Sequence, residues 1–100
     1  MLRNITFRVI KHFQHKGLER FFRHGETKGV LAHHQSRIQR ILDLLDDACE
    51  PQDLKIPGMF LHPLKGDRKG QWAMTVSGNW RITFAFDGED VVIVNLEDYH

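Results

Sequence analysis

Three short stretches of the chain carry the side chains with the most chemical capacity. Arg81, in Gly78-Asn79-Trp80-Arg81-Ile82-Thr83-Phe84, offers a planar, permanently charged fork that matches a phosphate. It shares one strand face with the small residues Thr83 and Ala85. On its own it fits equally well a solvated strand residue, or one paired with an acid on a neighbouring strand. His62 and Lys65 lie in Leu61-His62-Pro63-Leu64-Lys65-Gly66, where a strand runs into a turn. Pro63 keeps His62 extended and so fixes where its ring points, although a histidine ahead of a turn lysine also describes an ordinary surface. The chain ends on Asp98-Tyr99-His100, a carboxylate, a phenol and an imidazole directly after an apolar strand. Termini ordinarily fray, but that strand is expected to anchor these three, and the α-carboxylate of His100 would favour its charged imidazolium.

Other chemistries fit the sequence less well. Seven histidines include His12-x-x-His15 and His33-His34. A strand does not present i and i+3 on one face, His33 and His34 are expected to diverge on a helix, and Cys49 alone makes no Cys-x-x-Cys half-site. No metal or other cofactor is therefore expected. Ser36 falls at a polar helix start, Ser77 in a hairpin turn, and Cys49 in the expected core, so none is placed as a nucleophile. Gly66 to Gly70 joins strands and does not precede a helix, as a phosphate-binding glycine loop would.

The elements that must hold these residues are legible from periodicity. Arg8 to Phe13 has the β-branched and aromatic content of a short strand. Leu18, Phe21 and Phe22 recur at helical spacing, and Gly25 stands where a left-handed residue would end that helix. Ile38, Ile41, Leu42, Leu45 and Cys49 mark the apolar stripe of a second helix, which Pro51 stops. After Pro57-Gly58 the period becomes two. Phe60 to Leu64, Trp72 to Val76, Trp80 to Phe86 and Val91 to Leu96 then read as four strands joined by short glycine-containing turns. Trp80, Ile82, Phe84 and Phe86 form the clearest buried stripe, and Val91 to Val94, apolar on both faces, suits a central strand. The order β-α-α-β-β-β-β specifies an α+β fold, a twisted and mainly antiparallel sheet with both helices packed on one face.

Composition sets the outer bounds. One hundred residues, 41% of them hydrophobic and 27% charged, make one ordinary globular domain. No apolar run approaches the roughly 20 residues of a membrane span, and no secretory h-region follows Arg3 and Arg8, so a cytoplasmic protein without a membrane partner is expected. The net charge of +1 conceals blocks. Residues 1–42 hold nine Lys and Arg against Glu19 and Glu26, residues 55–81 hold five against Asp67, and residues 43–54 and 82–100 each hold five acids and no base. Folding can gather the basic blocks into a surface that attracts a polyanion, or leave them as solvated charge that keeps the chain soluble.

Four motifs in order, Phe13-x-x-Lys16-Gly17-Leu18, Pro57-Gly58-x-x-Leu61-His62-Pro63-Leu64-Lys65-Gly66, Gly78-Asn79-Trp80-Arg81-Ile82-Thr83-Phe84 and the terminal Asp98-Tyr99-His100, resemble the HigB group of RelE-type toxins. The resemblance runs from Phe13 to His100 and implies a RelE-like fold and a ribosome-dependent messenger RNA endonuclease. It also implies neutralisation by a helix-turn-helix antitoxin of HigA type, with operator DNA reached only through that antitoxin. In such toxins the equivalents of His62, Lys65, Arg81, Asp98, Tyr99 and His100 line the active surface, with Asn79 beside it as an RNA contact. A metal-free ribonuclease needs a base for the 2′-hydroxyl, an acid for the leaving 5′-oxygen and fixed cations for the phosphorane. The expected roles are His100 as one acid or base, His62 or Asp98 as its counterpart, Lys65 and Arg81 as phosphate clamps, and Tyr99 as a stacking group. Two other readings stand beside it: a small RNA- or ribosome-binding domain that blocks translation by occupancy with the same Lys65/Arg81 surface, and an interaction module that acts only as co-repressor with its antitoxin. Two departures from the family pattern stand out. About eight extra residues, 1–8, with Arg3 and Arg8 among them, precede the usual start of a domain expected over 9–100, which bears on the antitoxin contact, and Asn95-Leu96 replaces the common Asp-Tyr and is expected to stand apart from the chemistry.

Overall fold

The computed structural model describes residues 10–99. The basic extension over 1–8, the start of the predicted first strand and His100 lie outside the described residues. Helix α1 spans Lys16–His24. Its N-cap is His15, whose Nδ1 accepts the Leu18 N–H at 2.9 Å and so satisfies one of the donors a helix start leaves open. It ends as the sequence predicts: Gly25 adopts φ 71°, a left-handed conformation that glycine reaches without a Cβ penalty, and donates to the Phe21 carbonyl at 3.0 Å.

Helix α2, Gln35–Asp47, buries Ile38, Ile41, Leu42 and Leu45 completely. It stops before Cys49, which the periodicity had included. The Asp53 carboxylate accepts the N–H groups of Cys49 (2.8 Å) and Glu50 (3.2 Å), and Pro51 disfavours a helical conformation at Glu50. Ala48 takes the core position, and Cys49 is only half-buried.

The sheet runs in the order β1 (His62–Pro63), β2 (Gln71–Ser77), β3 (Trp80–Asp87), β4 (Asp90–Asp98), every pair antiparallel. The strand predicted over Phe60 to Leu64 shrinks to two residues because Phe60 turns left-handed, at φ 55°, and projects into solvent. Beyond β4, Ile10 and Phe13 each form a parallel bridge, to Val91 and Val94, and Gln14 donates to the Val94 carbonyl at 2.8 Å. The predicted first strand thus appears as a flanking segment, and β4 has neighbours on both sides.

The core lies between the helices and one sheet face. Leu18 and Phe21 from α1 and the α2 stripe meet Met74, Val76, Ile82, Phe84, Val91 and Val94. Full burial of a side chain such as Phe84 contributes about 1.5–3 kcal/mol.

Val91 and Val94 both reach this core because β4 carries a bulge. Thr83 pairs with Asn95 but Ala85 pairs with Val92, leaving one extra residue on β4, and Ile93 sits at φ 49°. A positive φ is costly for a β-branched residue, on the order of 1–3 kcal/mol. The extra residue shifts the alternation by one, so Val94 and Leu96 face the helices while Asn95, Glu97 and Tyr99 face the other way. Without it the polar set would point into the core.

Candidate active site

On the sheet face turned away from the helices, register aligns Arg81 on β3 with Glu97 on β4, and Thr83 with Asn95. The Glu97 carboxylate is the common acceptor there. Arg68, from the turn before β2, grips it as a fork: Nη1 donates to Oε1 at 2.8 Å and Nη2 donates to Oε2. Arg81 Nη2 donates to Oε1 at 3.2 Å, Thr83 Oγ1 to Oε2 at 2.8 Å and Asn95 Nδ2 to Oε2 at 3.4 Å. Gln71 steadies Arg68 by accepting its Nε and Nη2 at 3.2 and 2.9 Å. The hydrogen bonds from Arg68, opposed by burial and reinforced by those from Thr83 and Arg81, hold the Glu97 carboxyl down at about 2.

Arg81 is largely enclosed, its side chain 13% exposed, and its Nε is buried with no hydrogen-bond partner among the described residues. Its guanidinium carbon lies 4.0 Å from the centroid of the Tyr99 ring, a cation–π contact. Tyr99 is itself held by its main chain, whose N–H donates to the Asn79 carbonyl at 2.8 Å across the β2–β3 turn. Arg81 is therefore paired with an acid on the next strand, one of the alternatives the sequence leaves open, and it also stacks on an aromatic at the end of β4.

His62 pairs with Ala73, which pairs with Thr83, so its side chain shares the face of Arg81 from two strands away, roughly 10 Å. Its Nδ1 lies 2.9 Å from the Phe60 carbonyl, which can only accept. Nδ1 is therefore the donor in this contact, on a side chain that is exposed. Lys65 is exposed at the turn after β1 and, with Lys69, Gln71 and Trp72, lines a groove of about 320 Å³. Asp98 is exposed and pairs with Trp80, one residue out of phase with Glu97 and Tyr99. Of the named set, then, Arg81, Tyr99 and the Asn79 main chain meet directly. His62 shares their face from two strands away, Lys65 lines the separate groove after β1, Asp98 alternates away, and His100 lies outside the described residues.

Among the described residues no three His, Cys, Asp or Glu side chains cluster as metal ligands would. His33 and His34 do not diverge as expected. They occupy the tighter 3-10 turn Ala32–His34, with ring centroids 4.3 Å apart, and His34 is buried edge-on against Trp80. No helix of the described residues is long and apolar enough to cross a membrane.

The model of a family described as HigB-like, the RelE-like toxins of type II toxin–antitoxin systems, matches residues 11–100. The chain belongs to this HigB toxin family. One relative, named endoribonuclease HigB, from Proteus vulgaris, is 50% identical over 92 residues, which span 92% of this chain and the whole of the relative. A HigB-type toxin of a type II system has an antitoxin partner by definition, and the RelE-like α+β fold expected from the sequence is the one described above.

The sequence reading of this toxin missed Arg68, Gln71, Thr83 and Glu97. Arg68 lay hidden in a turn, where charge is ordinarily solvated. Glu97 and Asn95 share a period-two phase, a signal that was present but broken upstream by the bulge at Ile93. Asn95, expected to stand apart, donates to Glu97.

Glu97 and the buried histidines are also expected to make the fold of this toxin acid-sensitive. Burial holds the His15 and His34 imidazoles below their ordinary 6.5. Each therefore contributes stability that is present above 6.5 and is lost as pH falls through the depressed folded value. Glu97 behaves likewise over a lower window, from its ordinary 4.5 down to about 2. Urea midpoints at pH 7.5, 5.5 and 3.5 are expected to fall in that order. In Glu97→Gln the drop between pH 5.5 and 3.5 should shrink, and an unchanged drop would remove Glu97 from the explanation.

Proposed function

We propose that this toxin is an endoribonuclease that cuts translated messenger RNA on the ribosome. Attack by the 2′-hydroxyl, without a metal, breaks the chain and stops translation. The observation that carries the reading is the Arg81 guanidinium stacked on Tyr99, with a second arginine fixed beside it and a chain end tied down by the Asn79 carbonyl. That arrangement offers a phosphate a fixed cation and a base a stacking surface. Similarity to a protein named endoribonuclease supports the chemistry. In this reading Lys65 and Arg81 clamp the scissile phosphate and Asn79 contacts the RNA. His100 is one acid or base, His62 or Asp98 its counterpart, and Tyr99 a stacking or orienting group. The domain proposed over 9–100 acts in the cytoplasm, held in check by a helix-turn-helix antitoxin through which operator DNA is reached.

Primer extension on a message translated in a reconstituted system tests it. Discrete 5′ ends positioned by codon are expected within minutes of adding toxin, and none when the message is not translated. Inhibited translation with intact message would replace the nuclease with a protein that acts by occupancy.

A further inference from the structure

A carboxylate 3.2 Å from the arginine that is to hold a phosphate competes with that phosphate, so the presence of Glu97 needs a reason. Its geometry supplies one. Arg68 takes both carboxylate oxygens in a fork, whereas Arg81 reaches a single oxygen through one nitrogen. The anion is thus engaged first by Arg68, and the three charges together leave a net positive site. The Tyr99 ring fixes the plane of the Arg81 guanidinium, and the Nη2 bond to Glu97 fixes its rotation within that plane. Both restraints act on a side chain that is 13% exposed and whose Nε–H has no partner among the described residues.

We infer that Glu97 is a positioning residue that sets the orientation of the Arg81 guanidinium. Arg68 is the counter-cation that keeps Glu97 from drawing Arg81 away from the substrate phosphate. The inference rests on the reading of Arg81 as a phosphate ligand. It gives the two arginines different duties: Arg81 touches the RNA, and Arg68 acts through Glu97.

The two duties separate in single-turnover cleavage of message on programmed ribosomes, read as a maximal rate and a half-saturating toxin concentration. Glu97→Gln removes a negative charge and loosens Arg81. The maximal rate should fall about 10- to 100-fold, the usual cost of a misplaced group, while half-saturation stays the same or improves. Glu97→Asp keeps the charge but shortens its reach, and should lower the rate with half-saturation unchanged. Arg68→Met leaves Arg81 as the cation on Glu97, beside the neutral donors Thr83 and Asn95, so half-saturation should worsen several-fold, and adding Glu97→Gln to it should restore binding but not rate. Wild-type rates in folded Glu97→Gln and Glu97→Asp would overturn the inference, as would rate and half-saturation worsening together in step with a lowered urea midpoint. Arg81→Ala tells the two failures apart. If it cleaves at full rate, the phosphate-ligand reading itself fails; if it is impaired while both Glu97 variants are not, only the role of Glu97 is lost.

Discussion

Replacing His100 with alanine is expected to slow message cleavage by about 10²–10⁴-fold, the range a single general acid or base contributes, while leaving the urea midpoint of the domain unchanged. His100 follows Tyr99 by one peptide bond, and Tyr99 is tied at both its main chain and its ring, to the Asn79 carbonyl at 2.8 Å and beneath Arg81 at 4.0 Å. Imidazole is the one unperturbed side chain that both gives and takes a proton near neutral pH, and in the proposed reaction the Arg81 cation beside Tyr99 is the charge that would hold a phosphate within reach. The described core is built from residues between Ile10 and Leu96, so the substitution is expected to leave the fold intact. The pH dependence should change with the rate: the wild-type profile is expected to have two limbs, and His100→Ala to flatten one of them. A folded His100→Ala protein that cleaves at the wild-type rate would exclude the residue from the chemistry, and the proton transfers would then fall to His62 and Asp98.

Most of the scaffold was legible because it follows simple periods. The stripe Ile38, Ile41, Leu42, Leu45 is buried as its spacing requires, and Trp80, Ile82, Phe84 and Phe86 face the helices. What escaped were places where one local contact breaks a period. Asp53 unwinds the chain at Cys49 by taking two backbone N–H groups, Phe60 leaves the strand region, and an extra residue at Ile93 reverses the faces of β4. That last break is the one with functional weight. Read with an unbroken alternation, Val91 and Glu97 share a face, which makes Glu97 either a buried misfit or evidence against the strand. Only the paired register shows that the bulge carries Glu97 round to Arg81. Arg68 was illegible for another reason: it reaches Glu97 from 29 positions away along the chain, out of a turn whose sequence asks only for solvent.

A message carrying a single 2′-deoxyribose on the 5′ side of the cut should resist cleavage there completely, while neighbouring ribose positions are still cut. In the proposed reaction the 2′-oxygen is the nucleophile. It loses its proton to the base, bonds to phosphorus, and the bond from phosphorus to the 5′-oxygen breaks as the acid protonates that oxygen. The products are a 2′,3′-cyclic phosphate and a 5′-hydroxyl, with no water consumed. Deleting one oxygen removes the nucleophile without altering the phosphate that Arg81 and Lys65 are proposed to hold, so toxin binding to the modified message on the ribosome should be unchanged. That separation makes the test sharp. Weaker binding together with lost cleavage would point to recognition of the ribose hydroxyl, and undiminished cleavage at the deoxy position would require water as the attacking group. Water would need its own base aligned opposite the 5′-oxygen, a duty for which His62, exposed and with Nδ1 turned to the Phe60 carbonyl, is the described residue best suited.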